Sequence, residues 1–108
     1  MLPHDAADRK AVPILKFLTT YFPDAIEELT KLCVQGNIQH NPERAPEDIT
    51  WAREKSTDQL DAGFRHIWDH CTQGRFDTDG QRHLIKAAWR MLAQAQLDIE
   101  EQDKETNK

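Results

Sequence analysis

The fold is decided by residues 56–99, STDQLDAGFRHIWDHCTQGRFDTDGQRHLIKAAWRMLAQAQLDI. Apolar residues recur there at steps of three and four on both sides of a polar, glycine-containing break, which is the period of an α-helix. The pattern predicts helices at about 56–72 and 78–99 that fold back on each other as an antiparallel hairpin. Their apolar stripes are formed by Leu60, Phe64, Ile67, Trp68 and Cys71, and by Leu84, Ala88, Met91, Leu92 and Ala95.

Local signals predict where these two helices begin and end. Ser56, with Gln59 three residues later, is typical of a capping box at a helix start. Gly74 predicts the end of the first helix, because glycine is common just after a helix terminus. Asp77 or Thr78 is expected to cap the second.

Working outward, the N-terminal part contains shorter helical segments. An apolar stretch predicts a helix at about 14–22 that Pro23 stops, and Asp24 is expected to cap a helix at 24–35 that Gly36 ends. Residues 37–55 show no period and predict a long loop, which in a small domain is often functional. Residues 1–12 are expected to be loose, and residues 100–108 are expected to form an acidic disordered tail.

These segments define a single all-α domain over residues 13–99, built on the antiparallel hairpin with an N-terminal helix packed beside it. A chain of 108 residues buries a modest core, so we expect oligomerisation to complete it. The two cysteines, Cys33 and Cys71, lie on apolar stripes and are interpreted as small core residues.

The composition excludes several classes of function. The 14 Lys and Arg against 19 Asp and Glu give a formal net charge of −5, which argues against a nucleic-acid polymer as partner. No stretch approaches the ~20 apolar residues of a membrane span, and no signal sequence is recognisable, so the cytoplasm is the expected compartment. Residues 51–90 are mildly basic within this acidic chain, which leaves a small anion or a nucleotide as ligand.

The predicted helix at 56–72 carries a polar face beside its apolar stripe. Asp58, Asp61 and Arg65 follow one another at steps of three and four, with His66 adjoining. One interpretation is a solvated face with ion pairs between successive turns. The other is a carboxylate pair that holds Mg²⁺, with Arg65 and His66 facing a phosphate.

The next predicted helix carries a row of cations. Arg82, Lys86 and Arg90 are spaced by four residues, with His83 and Trp89 adjoining, and like charges at that spacing destabilise a helix. Either Asp58 and Asp61 offset this row across the hairpin, or a bound anion does. The preceding Asp77-Thr78-Asp79-Gly80 is interpreted as a helix cap or as a metal-binding loop.

The long loop offers a second set of polar and aromatic residues. His40 and Asn41 stand before Pro42, and Trp51 is followed by Arg53 and Lys55. Turn chemistry and a loop anchor explain these residues without a ligand. A tryptophan beside two cations also suits a nucleotide, because an aromatic face stacks on any base.

Taken together, these segments form a specific combined motif. It consists of Gly36-Asn37, His40-Asn41-Pro42, residues 51–58 (WAREKSTD), Arg65-His66, residues 77–83 (DTDGQRH) and residues 87–90 (AAWR). Over about residues 22–100 the chain resembles the dATP/dGTP diphosphohydrolase domain family of small phage and prophage proteins. It is distantly similar to the all-α pyrophosphohydrolases of the MazG type, but Glu27 and Glu28 do not complete their four-acid magnesium cage.

The resemblance implies Mg²⁺-dependent hydrolysis of purine deoxynucleoside triphosphates to monophosphate and pyrophosphate, in phage nucleotide metabolism. By that analogy the metal lies among Asp58, Asp61, Asp77 and Asp79, and catalysis rests on Asp58, Asp61 and His66. Phosphates and nucleoside would be held by Asn37, His40, Asn41, Trp51, Arg53, Lys55, Arg65, His83, Lys86 and Arg90. Two alternatives stay open: a protein that binds or sequesters a nucleotide without cleaving it, and a structural helical oligomer with no ligand.

Overall fold

The computed structural model describes residues 1–106 and confirms the all-α class. Five helices carry the fold: α1 (Ala6–Lys10), α2 (Ile14–Tyr21), α3 (Pro23–His40), α4 (Gln59–Gln73) and α5 (His83–Thr106). A 3₁₀ turn at Arg53–Lys55 lies in the loop between α3 and α4. Within residues 1–106, none of the helices is long and apolar enough to cross a membrane.

Helices α4 and α5 form the antiparallel hairpin, and they approach each other through small residues. Ala62, Ala87 and Ala93 are buried, and a Cβ on Gly63 would meet the Met91 side chain and lie 3.2 Å from the Arg90 Cβ. The two helices therefore approach closely at Gly63, where α4 carries no side chain. Helix α3 packs against α5 and is tied to the start of that helix by an ion pair between Glu28 and Arg82 at 2.9 Å.

The predicted apolar stripe of α4 does not face this hairpin contact. Leu60, Phe64 and Trp68 are 59%, 61% and 59% exposed, and Ile67 is also exposed. The face that meets α5 instead carries Gln59, Ala62, Gly63 and His66. Cys71 is exposed as well, so its interpretation as a core residue was wrong, whereas Cys33 is half-buried.

The prediction of a capping box at Ser56 was also wrong, because α4 begins at Gln59. The Ser56 hydroxyl donates to the Asp58 carboxylate at 3.1 Å and accepts from Arg90 at 2.7 Å, so it does not cap the helix. Gln59 is almost fully buried, and its amide donates to the Ser56 carbonyl at 3.2 Å. Ser56 and Gln59 therefore both bind Arg90 of α5, and the local cap that the sequence predicts does not form.

Helix α5 begins at His83, later than the predicted start at 78. The intervening residues form a tight turn, in which the Gly80 amide donates to the Asp77 carbonyl at 3.0 Å and Gly80 adopts a φ of 81°. Phe76 and Arg82 pair as an isolated antiparallel bridge that flanks this turn. Asp77 is consequently a turn residue and caps neither helix.

Three further boundaries differ from the sequence predictions. Helix α3 continues through Gly36 to His40, and the segment expected to be loose contains α1, capped by the Asp5 carboxylate. Residues 100–106, expected to be disordered, continue α5, while 107–108 lie outside the described residues. Side-chain hydrogen bonds one turn apart, such as Gln96 to Glu100 at 2.8 Å, support this extension.

Candidate functional site

A cavity of about 600 Å³ opens between α3, the loop that follows it, and one face of the hairpin. That volume falls within the range of ~300–1,000 Å³ typical of small-molecule sites. Its wall is formed by Leu32, Cys33, Gly36, Asn37 and His40 of α3, by Asn41, Ile49, Thr50, Trp51, Ala52, Lys55 and Ser56 of the loop, and by His66, Asp79, Lys86, Trp89 and Arg90.

Asn37 fastens the loop that closes one side of the cavity. This buried side chain donates to the Asp48 carbonyl at 2.7 Å, and its oxygen accepts from Asn41 and Thr50, each at 3.4 Å. Arg44 adds a hydrogen bond to the Thr50 hydroxyl at 2.7 Å. The amide of Asn37 is thus engaged within the protein, so this residue positions the loop and is poorly placed to bind a nucleoside itself.

Lys86 is a cation of the cavity wall that pairs with two carboxylates. Its ammonium donates to Asp77 at 2.8 Å and to Asp79 at 2.7 Å. Burial alone would lower the pKa of Lys86, but the two carboxylates raise it above its ordinary value. The ammonium hydrogen bond, followed by the Thr78 amide, lowers the pKa of Asp77 to about 2, and Lys86 likewise lowers the pKa of Asp79. All three groups are therefore charged at neutral pH.

Arg90 lies one helical turn further along α5, on the same wall. Its guanidinium donates to the Ser56 hydroxyl at 2.7 Å and to the side-chain Oε1 of Gln59 at 3.1 Å. A guanidinium carries five N–H donors, so several are left for an anion in the cavity. Neither partner is acidic, and Arg90 therefore brings its full positive charge to the site.

Two tryptophans supply an aromatic wall next to these cations. Trp51 of the loop and Trp89 of α5 meet edge to face with ring centroids 5.8 Å apart. The Arg53 guanidinium lies 4.4 Å over the Trp51 ring and pairs with Glu100 at the far end of α5. Burial raises the pKa of Cys33, which lies against Trp89 in the cavity wall.

His66 and His83 face each other across the hairpin, with their Nδ1 atoms 3.1 Å apart. His83 is buried and His66 is half-buried on the cavity wall. Burial, followed by the positive charge of Lys86, lowers the pKa of His66, which favours the neutral imidazole at pH 7. Asp77 lies close to both rings.

The four acids expected to hold Mg²⁺ do not come together. Asp58, which precedes α4, pairs with Arg65 of that helix at 3.1 Å, Asp61 is exposed, and neither Asp58 nor Asp61 lines the cavity. Asp77 and Asp79 do lie close together, but both form ion pairs with Lys86. Within residues 1–106, Asp58, Asp61, Asp77 and Asp79 form no cluster of possible metal ligands, so the four-acid magnesium site does not fit this geometry.

The predicted cation row is likewise divided. Arg82 pairs with Glu28 of α3, Lys86 with the turn acids, and Arg90 with neutral groups of the α4 start. Asp58 and Asp61 therefore do not offset the row across the hairpin, as one interpretation had it. Lys86 and Arg90 lie on one face of α5, Arg82 precedes the helix, and the three have separate environments.

Nine of the residues that the sequence analysis assigned to a ligand, a metal ion or catalysis line the cavity. They are Asn37, His40, Asn41, Trp51, Lys55, His66, Asp79, Lys86 and Arg90. The other six do not line it: Arg53, Asp77 and His83 contact residues of its wall, and Asp58, Asp61 and Arg65 do not contribute to the wall. Trp89 also lines the cavity, although the sequence analysis assigned it no ligand. Its spacing of three residues from Lys86, which places both on one helix face, is the sequence signal that could have identified it.

A comparison with known families defines the class of protein. Residues 3–108 match the family described as dATP/dGTP diphosphohydrolase, N-terminal. The chain belongs to this family, and the match extends the resemblance noted over 22–100 to almost the whole sequence. No curated protein and no solved structure matches the chain.

Proposed function

We propose that the cavity binds a purine deoxynucleoside triphosphate and that the protein hydrolyses it to the monophosphate and pyrophosphate. The observation that carries the proposal is that Lys86, Trp89 and Arg90 face one cavity of nucleotide size. Membership of the dATP/dGTP diphosphohydrolase N-terminal family supports the substrate class. The proposed setting is phage nucleotide metabolism in the host cytoplasm, where deoxynucleoside triphosphates are found.

In this proposal the phosphates lie against the α5 wall and the base against the tryptophans. Arg90 and the remaining N–H of Lys86 donate to phosphate oxygens, and Lys55 adds a third cation from the loop. Preorganised cations of this kind stabilise charge that develops in phosphoryl transfer. Mg²⁺ would arrive bound to the triphosphate, since this ion is usually held by phosphate oxygens, waters and few carboxylates.

Of the three residues expected to carry catalysis, only His66 lines the cavity. Its neutral imidazole lies at the wall next to Lys86, where the phosphate chain is proposed to bind. Asp58 is occupied by Arg65 and Asp61 is solvent-exposed, so the proposal assigns neither a role in the reaction.

The test is product analysis after incubation of the full chain with each deoxynucleoside triphosphate and Mg²⁺. We expect pyrophosphate and the monophosphate from dATP or dGTP, and no product from dCTP or dTTP. Asp58→Asn is the matched control and should retain the wild-type rate, because its ion pair lies outside the cavity. A thermal-shift panel that is flat for every nucleotide would exclude this function and leave the structural oligomer.

A second candidate, binding without cleavage, is favoured by one observation. Asp77 and Asp79, the acids beside the cavity, both pair with Lys86, and residues 1–106 offer no four-acid cage. The same incubation separates the two candidates. A triphosphate that shifts the melting temperature but is recovered intact after denaturation of the complex supports sequestration.

We also propose that the chain forms a homo-oligomer through α4. Leu60, Phe64, Ile67 and Trp68 make an exposed apolar strip along this helix, and a second copy would cover it. Sedimentation should show a species heavier than the 12.5 kDa chain. Phe64→Asp should dissociate it, whereas Ile99→Asp, at another exposed apolar position, on α5, should not. A wild-type chain that sediments at 12.5 kDa would contradict the proposal.

A further inference from the structure

His66, His83 and Asp77 bring three potential metal ligands together at the base of the hairpin. One ligand atom from each lies within 4.8 Å of the other two. Within residues 1–106 this is the one group of three or more histidine, cysteine and acidic side chains with that convergence. It draws one residue from each of α4, the turn and the start of α5.

The backbone holds these three residues in place without help from a ligand. The Asp77 amide donates to the Gln81 carbonyl at 2.8 Å, and the His83 amide donates to the Arg75 carbonyl at 3.0 Å. Close packing at Gly63 fixes α4, and with it His66, against α5. The backbone positions of the three ligands are therefore preorganised, which reduces the entropy lost on binding an ion.

The spacing of the two imidazoles suits a shared cation. Metal–nitrogen bonds of ~2.0–2.1 Å place two neighbouring ligand atoms ~2.9–3.4 Å apart, from octahedral to tetrahedral geometry. The Nδ1 atoms are 3.1 Å apart, which lies within that range. A hydrogen bond between the rings also fits this distance, but it requires a proton on one nitrogen, which a metal ion would replace.

The charge around Asp77 leaves room for a cation. Its Oδ1 accepts from the Thr78 amide at 2.7 Å and from the Thr78 hydroxyl at 3.5 Å, whereas its Oδ2 accepts from Lys86 alone at 2.8 Å and keeps a second lone pair. Lys86 opposes a metal ion by its charge, but Asp79 shares that ammonium at 2.7 Å. Two carboxylates and one ammonium sum to −1, so a divalent ion would meet a net negative site.

We infer that His66, His83 and Asp77 form a site for a divalent first-row transition cation such as Co²⁺, Mn²⁺ or Zn²⁺. Two imidazoles and a carboxylate are ligands that these ions accept, whereas Mg²⁺ prefers oxygen ligands alone. The site deepens the proposed function and rests on it for its role, because His66 also lines the nucleotide cavity. Through His66, an ion held there would lie beside the wall where the phosphates are proposed to bind.

Co²⁺ is the probe, because its visible absorption reports nitrogen and oxygen ligands directly. The metal-free full chain, without nucleotide, is titrated with Co²⁺ while absorption and bound metal are measured. We expect saturation at a single equivalent per chain and no displacement by a large excess of Mg²⁺. His66→Ala and Asp77→Asn should each weaken Co²⁺ binding by at least ~10-fold, because loss of even an outer-shell partner of a metal ligand typically costs that much.

His70→Ala is the matched control, since His70 lies on the same helix one turn beyond His66 and outside the cluster. It should bind Co²⁺ as the wild type does. Circular dichroism checks that each variant is folded, and Asp77→Asn keeps the shape of the turn if His66→Ala does not fold. The inference is overturned by an absence of saturable binding, by wild-type affinity in both ligand variants, or by displacement with Mg²⁺.

Failure of this inference is distinguishable from failure of the proposed function. Saturable Co²⁺ binding together with a flat nucleotide panel would keep the metal site and remove the nucleotide activity. Cleavage of dATP or dGTP by a chain that does not bind Co²⁺ would keep the activity and overturn the metal site.

Discussion

Lys86→Gln is expected to weaken binding of dATP or dGTP by about 10- to 100-fold. A hydrogen bond to a charged group contributes ~1.5–3 kcal/mol, and glutamine removes the ammonium charge from the cavity wall. Isothermal titration at one fixed salt concentration measures the change. Lys31→Gln is the matched control, because that lysine pairs with Glu27 on the exposed face of α3 and does not line the cavity.

The same substitution has a second expected result that needs no ligand. The pKa of Asp77 is lowered to about 2 chiefly by the Lys86 hydrogen bond, so without Lys86 it should rise toward its ordinary 3.8. Carboxyl titration by nuclear magnetic resonance would follow this change and also show that the variant is folded. A Lys86→Gln protein with a raised Asp77 pKa but unchanged nucleotide affinity would contradict the role assigned to this lysine.

Gly63→Val is expected to lower the free energy of unfolding by about 1–3 kcal/mol, the usual cost of forcing extra atoms into a packed contact. A Cβ at this position would overlap the Met91 side chain and lie 3.2 Å from the Arg90 Cβ. The Met91 end is flexible, but Arg90 is held by Ser56 and Gln59, so the backbones must separate. Chemical denaturation monitored by circular dichroism measures the loss.

Gly36→Ala supplies the contrasting substitution. Gly36 also lies within a helix, but an added Cβ there would meet nothing within 4 Å. Alanine should therefore raise the free energy of unfolding by about 0.5–1 kcal/mol through helix propensity and a less flexible unfolded chain. Equal effects of the two substitutions would mean that α4 and α5 are not in close contact at Gly63.

The all-α class and the hairpin were predictable because helical periodicity is a local property of the sequence. The start of α5 was not, since Asp77 and Asp79 before a glycine suit both a helix cap and a turn. The turn is selected by pairing between Phe76 and Arg82, a contact that spacing does not reveal. The face of α4 was also misjudged, because Gly63 contributes nothing to an apolar pattern yet allows the closest packing.

The candidate site was partly predictable for a similar reason. Residues on one helix face, such as Lys86 and Arg90, can be grouped by spacing alone, and both line the cavity. Predicting whether Asp58 lies near Asp77 requires knowing how the two helices pack. Asp58 instead forms its ion pair with Arg65, which is nearer in the sequence. The pairing of His66 with His83 depends on that same helix register.

Helix α5 continues past Ile99, and this has a consequence for truncated versions of the protein. Glu100 holds Arg53, and Arg53 covers the Trp51 ring on the cavity wall. A fragment trimmed at residue 99, where the acidic composition suggests a dispensable end, would keep every residue that lines the cavity. It would nevertheless remove the partner of the Arg53 guanidinium, which contacts Trp51 of the loop. The segment after Ile99 therefore helps to position the loop of the cavity, although its composition resembles that of a disordered tail.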